Sequence, residues 1–138
     1  MKSLRFLFSA MMMLAVCLFF TSCGGDNEDP VLEDTIAGTN WEYVDRYSDS
    51  GVSYEVTYSL SFSDFDAYYT IYMKATSGSQ TLTDSESISY TYTYSNPLVV
   101  LSPRESGKAY LEGTISSDIK MVLKNTSTGK TIGTFYKK

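Results

Sequence analysis

The sequence contains no histidine. That removes Ser-His-Asp and Cys-His catalysis and every metal site built on imidazole. Cysteine is nearly as scarce: Cys17 and Cys23 are the only two, and both lie near the N-terminus. Basic residues number 11 against 16 acidic ones, for a net charge of −5. Nucleic-acid binding needs a concentrated basic face to neutralise phosphates, and the lysines and arginines here are scattered. Tryptophan occurs once and proline three times. Beyond residue 22 no segment shows the apolar spacing of a helix.

Short motifs that resemble chemistry fall away on inspection. Gly129-Lys130-Thr131 has the end of a phosphate loop, but Lys124 stands where that loop needs glycine, so a hairpin turn is expected. Asp64 and Asp66 flank Phe65 in a turn, and two carboxylates fall short of the six or so oxygens that calcium takes. Asp84 and Glu86 have the same spacing, without a surrounding domain to build a glycosidase cleft. The expectation is a protein that is not an enzyme and that carries neither metal nor cofactor.

What the N-terminus does contain follows a recognisable sequence pattern. Lys2 and Arg5 precede an apolar run from Phe6 to Phe20, followed by Thr21-Ser22-Cys23. A short positive region, an apolar region and small residues before a cut mark a secretory signal peptide. The run is short for a transmembrane helix, which needs about 20 apolar residues. Residues 1–22 are therefore expected to be removed. The remainder carries nine basic and sixteen acidic residues, since Lys2 and Arg5 leave with the leader. Residues 23–38 hold Asp26, Glu28, Asp29, Glu33 and Asp34 with no Lys or Arg, the composition of an acidic flexible tether.

The stretch Phe20-Thr21-Ser22-Cys23 resembles the bacterial lipoprotein cleavage box, an apolar residue and two small ones before a cysteine. Cys17 fits less well because Val16 before it is not small. The resemblance implies cleavage before Cys23 and a lipid anchor on Cys23; two or more acyl chains hold a protein stably to a membrane. The acidic run Gly24-Gly25-Asp26-Asn27-Glu28-Asp29 is similar to the export signal of surface lipoproteins in the Bacteroidota. That likeness implies the outer membrane, with the domain exposed at the cell surface or facing the periplasm. Asp34-Thr35-Ile36 matches that phylum's short O-glycosylation pattern, which implies a glycan on Thr35.

From Trp41 onward the apolar period is two. Val52, Tyr54, Val56, Tyr58, Leu60 and Phe62 face one way; Ser53, Glu55, Thr57, Ser59 and Ser61 face the other. Such alternation predicts a half-buried strand. Trp41, Tyr43 and Tyr47 share a face, interrupted by Asp45, and Ile88, Tyr90, Tyr92 and Tyr94 form another stripe. Strands are also expected at 67–75, 98–101, 109–115, 119–124 and 131–137, with Gly, Asn, Asp, Ser and Pro clusters between them. Eight strands on short turns must be antiparallel neighbours. An eight-stranded up-and-down barrel over 39–138 hides both sheet edges; a two-layer β-sandwich is the alternative.

Gly38-Thr39-Asn40-Trp41 at the first strand and Gly133-Thr134-Phe135-Tyr136-Lys137 at the last resemble the small lipocalin-like (calycin-type) lipoproteins of the Bacteroidota. In that family a Trp after an opening Gly plugs the barrel floor, which the resemblance implies for Trp41. The tyrosine stripes allow two readings. Tyr43, Tyr54, Tyr58, Tyr90, Tyr92 and Tyr94 either pack the core or line a cup, with ring faces stacked on a ligand and hydroxyls orienting it. The function expected is a non-enzymatic binding module for a small apolar or glycan-like ligand. The alternative is an accessory subunit that binds a protein partner.

Overall fold

The computed structural model describes residues 35–138. The expectations for residues 1–22, for Cys23 and for most of the tether fall outside the described residues. Eight strands follow in order: β1 (Asn40–Asp49), β2 (Val52–Phe62), β3 (Asp66–Ser77), β4 (Gln80–Ser95), β5 (Leu98–Pro103), β6 (Leu111–Ser117), β7 (Lys120–Asn125) and β8 (Thr131–Lys137). Each pairs antiparallel with its sequence neighbours, and β8 returns to β1 through Trp41 opposite Lys137 and Glu42 opposite Tyr136. The fold is a closed eight-stranded up-and-down barrel, with no helix among the described residues. The β1–β8 seam rules out a sandwich, whose two sheets would not close on each other.

Local chemistry sets the hairpins. Asp49 pairs with Val52 across the two-residue loop Ser50-Gly51, and both loop residues have positive φ, 49° and 81°. That is the turn whose twist matches a hairpin, and it puts glycine where a side chain would be strained. β2 and β8 occupy the expected spans. β4 begins at Gln80 rather than at Ile88. Its first half, Thr-Leu-Thr-Asp-Ser-Glu-Ser, is exposed throughout, so no apolar face marks it as a strand.

The core fills the lower barrel. Leu60, Ala67, Val99, Leu101, Met121, Leu123 and Phe135 are fully buried, and Tyr90, Leu111 and Trp41 nearly so. Each fully buried Leu or Phe contributes about 1.5–3 kcal/mol relative to exposure. Space is tight enough to demand glycine at 113, where a Cβ would overlap the Met121 sulfur and Val99. Trp41 closes the floor at 3% exposure, and its indole N–H donates to Thr39 Oγ1 at 2.8 Å. Thr39 Oγ1 donates in turn to the Ile36 carbonyl at 2.7 Å. Ile36 is itself buried, so the end of the segment expected as free tether is part of the floor. Its apolar side chain has the Trp41 end of the core to cover.

The two halves of the barrel differ in height. β5 to β8 have 6 or 7 residues each, whereas β1 to β4 have 10 to 16. β1 leaves β8 after Glu42, and β5 pairs with β4 only from Tyr90 onward. Above that level β1 to β4 continue as an open four-stranded sheet, here called the extension. It covers 43–49, 52–59, 70–77 and 80–88, at the end opposite the floor.

Candidate functional site

The register of the extension sorts its side chains into rows on the inner, barrel-facing side. Tyr43, Tyr58, Ile71 and Glu86 form the row above the core. Asp45, Val56, Met73 and Asp84 form the next, and Tyr47, Tyr54, Ala75 and Leu82 the outermost. No strand crosses above them, so the inner face is an open trough. Tyr47 is 49% exposed and Leu82 77%. Val56, by contrast, is buried beneath its neighbours although it stands outside the main core cluster.

Two stacked tyrosine pairs dominate the β1–β2 side. Tyr43 and Tyr58 have ring centroids 5.5 Å apart and planes at 17°; Tyr47 and Tyr54 are at 4.9 Å and 14°. Directly opposed residues on neighbouring antiparallel strands lie close enough for such rings to meet. Tyr58 also stacks on Tyr69, at 6.3 Å, which continues the ladder down into the core. Tyr43 is held against β8 by contact with Phe135 and by Gly133, where any side chain would overlap its ring.

The strands of the trough carry charge of one sign on their inner face, and the β5–β6 loop brings one cation to it. On that face the charged side chains of the strands are Asp45, Asp49, Asp84 and Glu86, all acidic. Arg46 and Lys74 are on the outer face, where Arg46 Nε meets Glu55 at 2.7 Å. Burial raises the Tyr58 hydroxyl above its usual pKa, with the Asp45 charge and the neighbouring Tyr43 and Tyr47 adding to the rise. Burial also raises Tyr69, where Tyr58 and Tyr90 add to the effect, and Tyr90, where Glu86 adds. Asp84 Oδ1 accepts the Ser85 backbone N–H at 2.8 Å, and Lys108 from the β5–β6 loop pairs with Glu86.

The six tyrosines read from the sequence all fall on the inward side, but they do not make one site. Tyr43, Tyr54 and Tyr58 share the trough. Tyr90 is core, at 1% exposure. Tyr92 lies toward the floor, where its hydroxyl donates to the Ser63 carbonyl at 2.6 Å and its ring meets Phe62 edge-on. Tyr94 packs on the core from the same end. Tyr47, Asp45, Met73 and Leu82 complete the trough and were not in that set. For Tyr47 the signal was present, four residues from Tyr43 on the same face. Thr35 is exposed at the entry to the floor, its Oγ1 accepting the Ala37 N–H at 3.1 Å.

Two further hollows lie elsewhere. One of about 390 Å³ is on the outer side of the extension, among Arg46, Ser48, Ser53, Glu55, Lys74 and Thr76, and it also borders Tyr47 and Tyr54. The other, about 600 Å³, is the splayed β1–β8 seam, lined by Glu42, Tyr43, Val44, Gly133, Thr134 and Tyr136. Among the described residues no three Cys, Asp or Glu side chains gather as metal ligands. The trough offers ring faces, hydroxyls and carboxylates, a chemistry suited to holding a ligand. No family model and no curated protein matches the chain.

Proposed function

We propose that the protein is a non-enzymatic binding module, held to a bacterial outer membrane by lipid on Cys23, which takes its ligand on the tyrosine trough. One observation carries this reading. The barrel below is filled with side chains, while the extension leaves a row of aromatic and aliphatic residues uncovered on its inner face. An enclosed small ligand needs a cup; an open trough suits an extended partner laid across it. The accessory, partner-binding role is therefore favoured over capture of a small apolar molecule.

The direction of the chain supports the anchor as part of the same design. Residues 35–39 enter at the floor, with Gly38 N–H donating to the Phe62 carbonyl at 2.8 Å, and the trough is at the other end. The described chain thus begins at the end of the barrel opposite the trough. A lipocalin-like lipoprotein of the cell surface, glycosylated at Thr35, fits this arrangement.

The test uses the full-length lipoprotein in non-ionic detergent on arrays of immobilised peptides and glycans. Tyr47→Ala and Tyr54→Ala together should abolish capture and leave the melting temperature nearly unchanged, since Tyr47 and Tyr54 lie at the rim. Equal capture by the double variant would overturn the trough as the site. For the anchor, Cys23→Ser should lose incorporation of radioactive palmitate and release the protein from membranes. Label retained by that variant would refute it.

A further inference from the structure

We infer that the trough selects a cationic side chain of an extended polypeptide, a lysine or arginine seated between the two tyrosine pairs with Asp45 as its counter-charge. This rests on the reading of the trough as the binding face and adds the class of its partner.

The first argument is the sorting of charge. Within the extension every basic side chain is on the outer face and every charged side chain on the inner face is acidic. Among the described residues Arg46, Arg104, Lys108 and Lys138 pair with Glu55, Asp66, Glu86 and Glu42. Asp45 takes part in none of these ion pairs. It stands on the aromatic side of β1, opposite Val56, with no cation of the extension on its face.

The second argument is geometric. Tyr43 and Tyr47 flank Asp45 along β1, and Tyr54 and Tyr58 flank Val56 along β2. Two residues along a strand span about 6.8 Å, so the two ring pairs bracket the Asp45–Val56 row, in which Val56 is covered and the half-buried carboxylate of Asp45 is the group left within reach. The faces of aromatic rings attract cations within about 6 Å of the ring centre. Stacked aromatic rings on either side of a carboxylate are acceptors for an ammonium or guanidinium group. Asp45 is close enough to add to the rise that burial gives the Tyr58 hydroxyl pKa.

The third argument points to a polypeptide rather than a free amine. From Tyr43 to Asp49, β1 has β2 on one side and no strand on the other. Asn40 accepts from Lys138 on that outer side, so by alternation Val44, Arg46 and Ser48 turn their N–H and C=O groups to it as well. An extended segment can pair with this edge and send alternate side chains over the trough. Met73 and Leu82 offer apolar contact for the residues beyond the cation.

The experiment compares three labelled peptides of equal length, alternating Thr-Lys, Thr-Ser and Thr-Glu, against full-length lipoprotein in non-ionic detergent by fluorescence anisotropy. The Thr-Lys peptide should bind about tenfold more tightly than the Thr-Ser peptide. Asp45→Asn should remove most of that preference, while Asp118→Asn, which deletes the same charge near the floor, should leave it intact. Equal affinity for all three peptides, no affinity for the Thr-Lys peptide, or an Asp118→Asn effect as large as that of Asp45→Asn would overturn the inference. Should Tyr47→Ala with Tyr54→Ala abolish binding while Asp45→Asn changes nothing, the trough stands and the cation falls. Should neither matter, the trough itself is wrong.

Discussion

The ring of Tyr43 occupies the space that a side chain at position 133 would fill. β8 carries glycine there, and the ring in turn stacks on Tyr58. Core, seam and trough meet at this contact, because Tyr43 also touches Phe135. Gly133→Ala should push the ring outward, break the stack and destabilise the fold by about 1–3 kcal/mol, the usual cost of overpacking. Urea unfolding checks the size. A double cycle with Tyr43→Ala checks the cause: the cost at 133 should largely vanish once the ring is gone. Additive losses would place the strain elsewhere.

At the floor, Trp41 is both plug and donor. Trp41→Ala removes a buried indole and should cost about 3–5 kcal/mol. Thr39→Val keeps the shape and removes the acceptor of the indole N–H, for about 1–2 kcal/mol. The urea midpoints should fall in that order. An unchanged midpoint for Trp41→Ala would mean the indole is not structural.

Much of this architecture could be read from residues alone, and the exceptions have physical causes. β2 was legible from end to end because one face is core or trough and the other is wet. The first half of β4 was not, since a strand exposed on both faces and one edge has no apolar face to impose a period. The tyrosine stripes were correctly placed on the inward side. Their division was hidden, because the stagger of the strands sends the β4 stripe to the floor and those of β1 and β2 to the trough. Asp45 looked like a flaw in the β1 stripe. Three-dimensional register makes it the charge that the aromatic pairs surround.

Tyrosine also sets the response to alkali. Tyr58, Tyr69, Tyr90 and Tyr92 all have hydroxyl pKa values raised above the ordinary 10.0, burial being the first cause in each. In the unfolded chain these groups lose protons from about pH 10 upward. In the folded protein they hold them longer, so above that pH the unfolded state binds fewer protons and stability falls. Their contribution is fully present below pH 10 and is lost as pH rises toward the folded values. Urea midpoints should be flat from pH 7 to pH 9 as far as tyrosine is concerned, and should drop above pH 10. Tyrosinate absorbance should show an early class and a late class that appears with unfolding. A single class titrating in the folded protein would contradict the burial of these rings.

The free side of β4 raises a different problem, that of an unpaired edge. From Gln80 to Ile88 this strand has β3 on one side only, and such an edge invites pairing with another copy. Ser89 turns its carbonyl to the outer side, where it accepts from Arg104, so by alternation Ser85 turns its N–H there too. Asp84 answers that N–H with its own carboxylate, and the Lys108–Glu86 pair sets a second charged group beside it. A donor already satisfied, next to a charge, is a poor template for another strand. Asp84→Ala frees the donor and removes the charge together. It should therefore raise concentration-dependent self-association in sedimentation velocity, with little change in the urea midpoint of dilute protein. Asp84→Asn keeps an acceptor within reach of Ser85 and should associate less than the alanine variant. If Asp84→Ala sediments as wild type does at every concentration, the edge is guarded by the β5–β6 loop and not by this carboxylate.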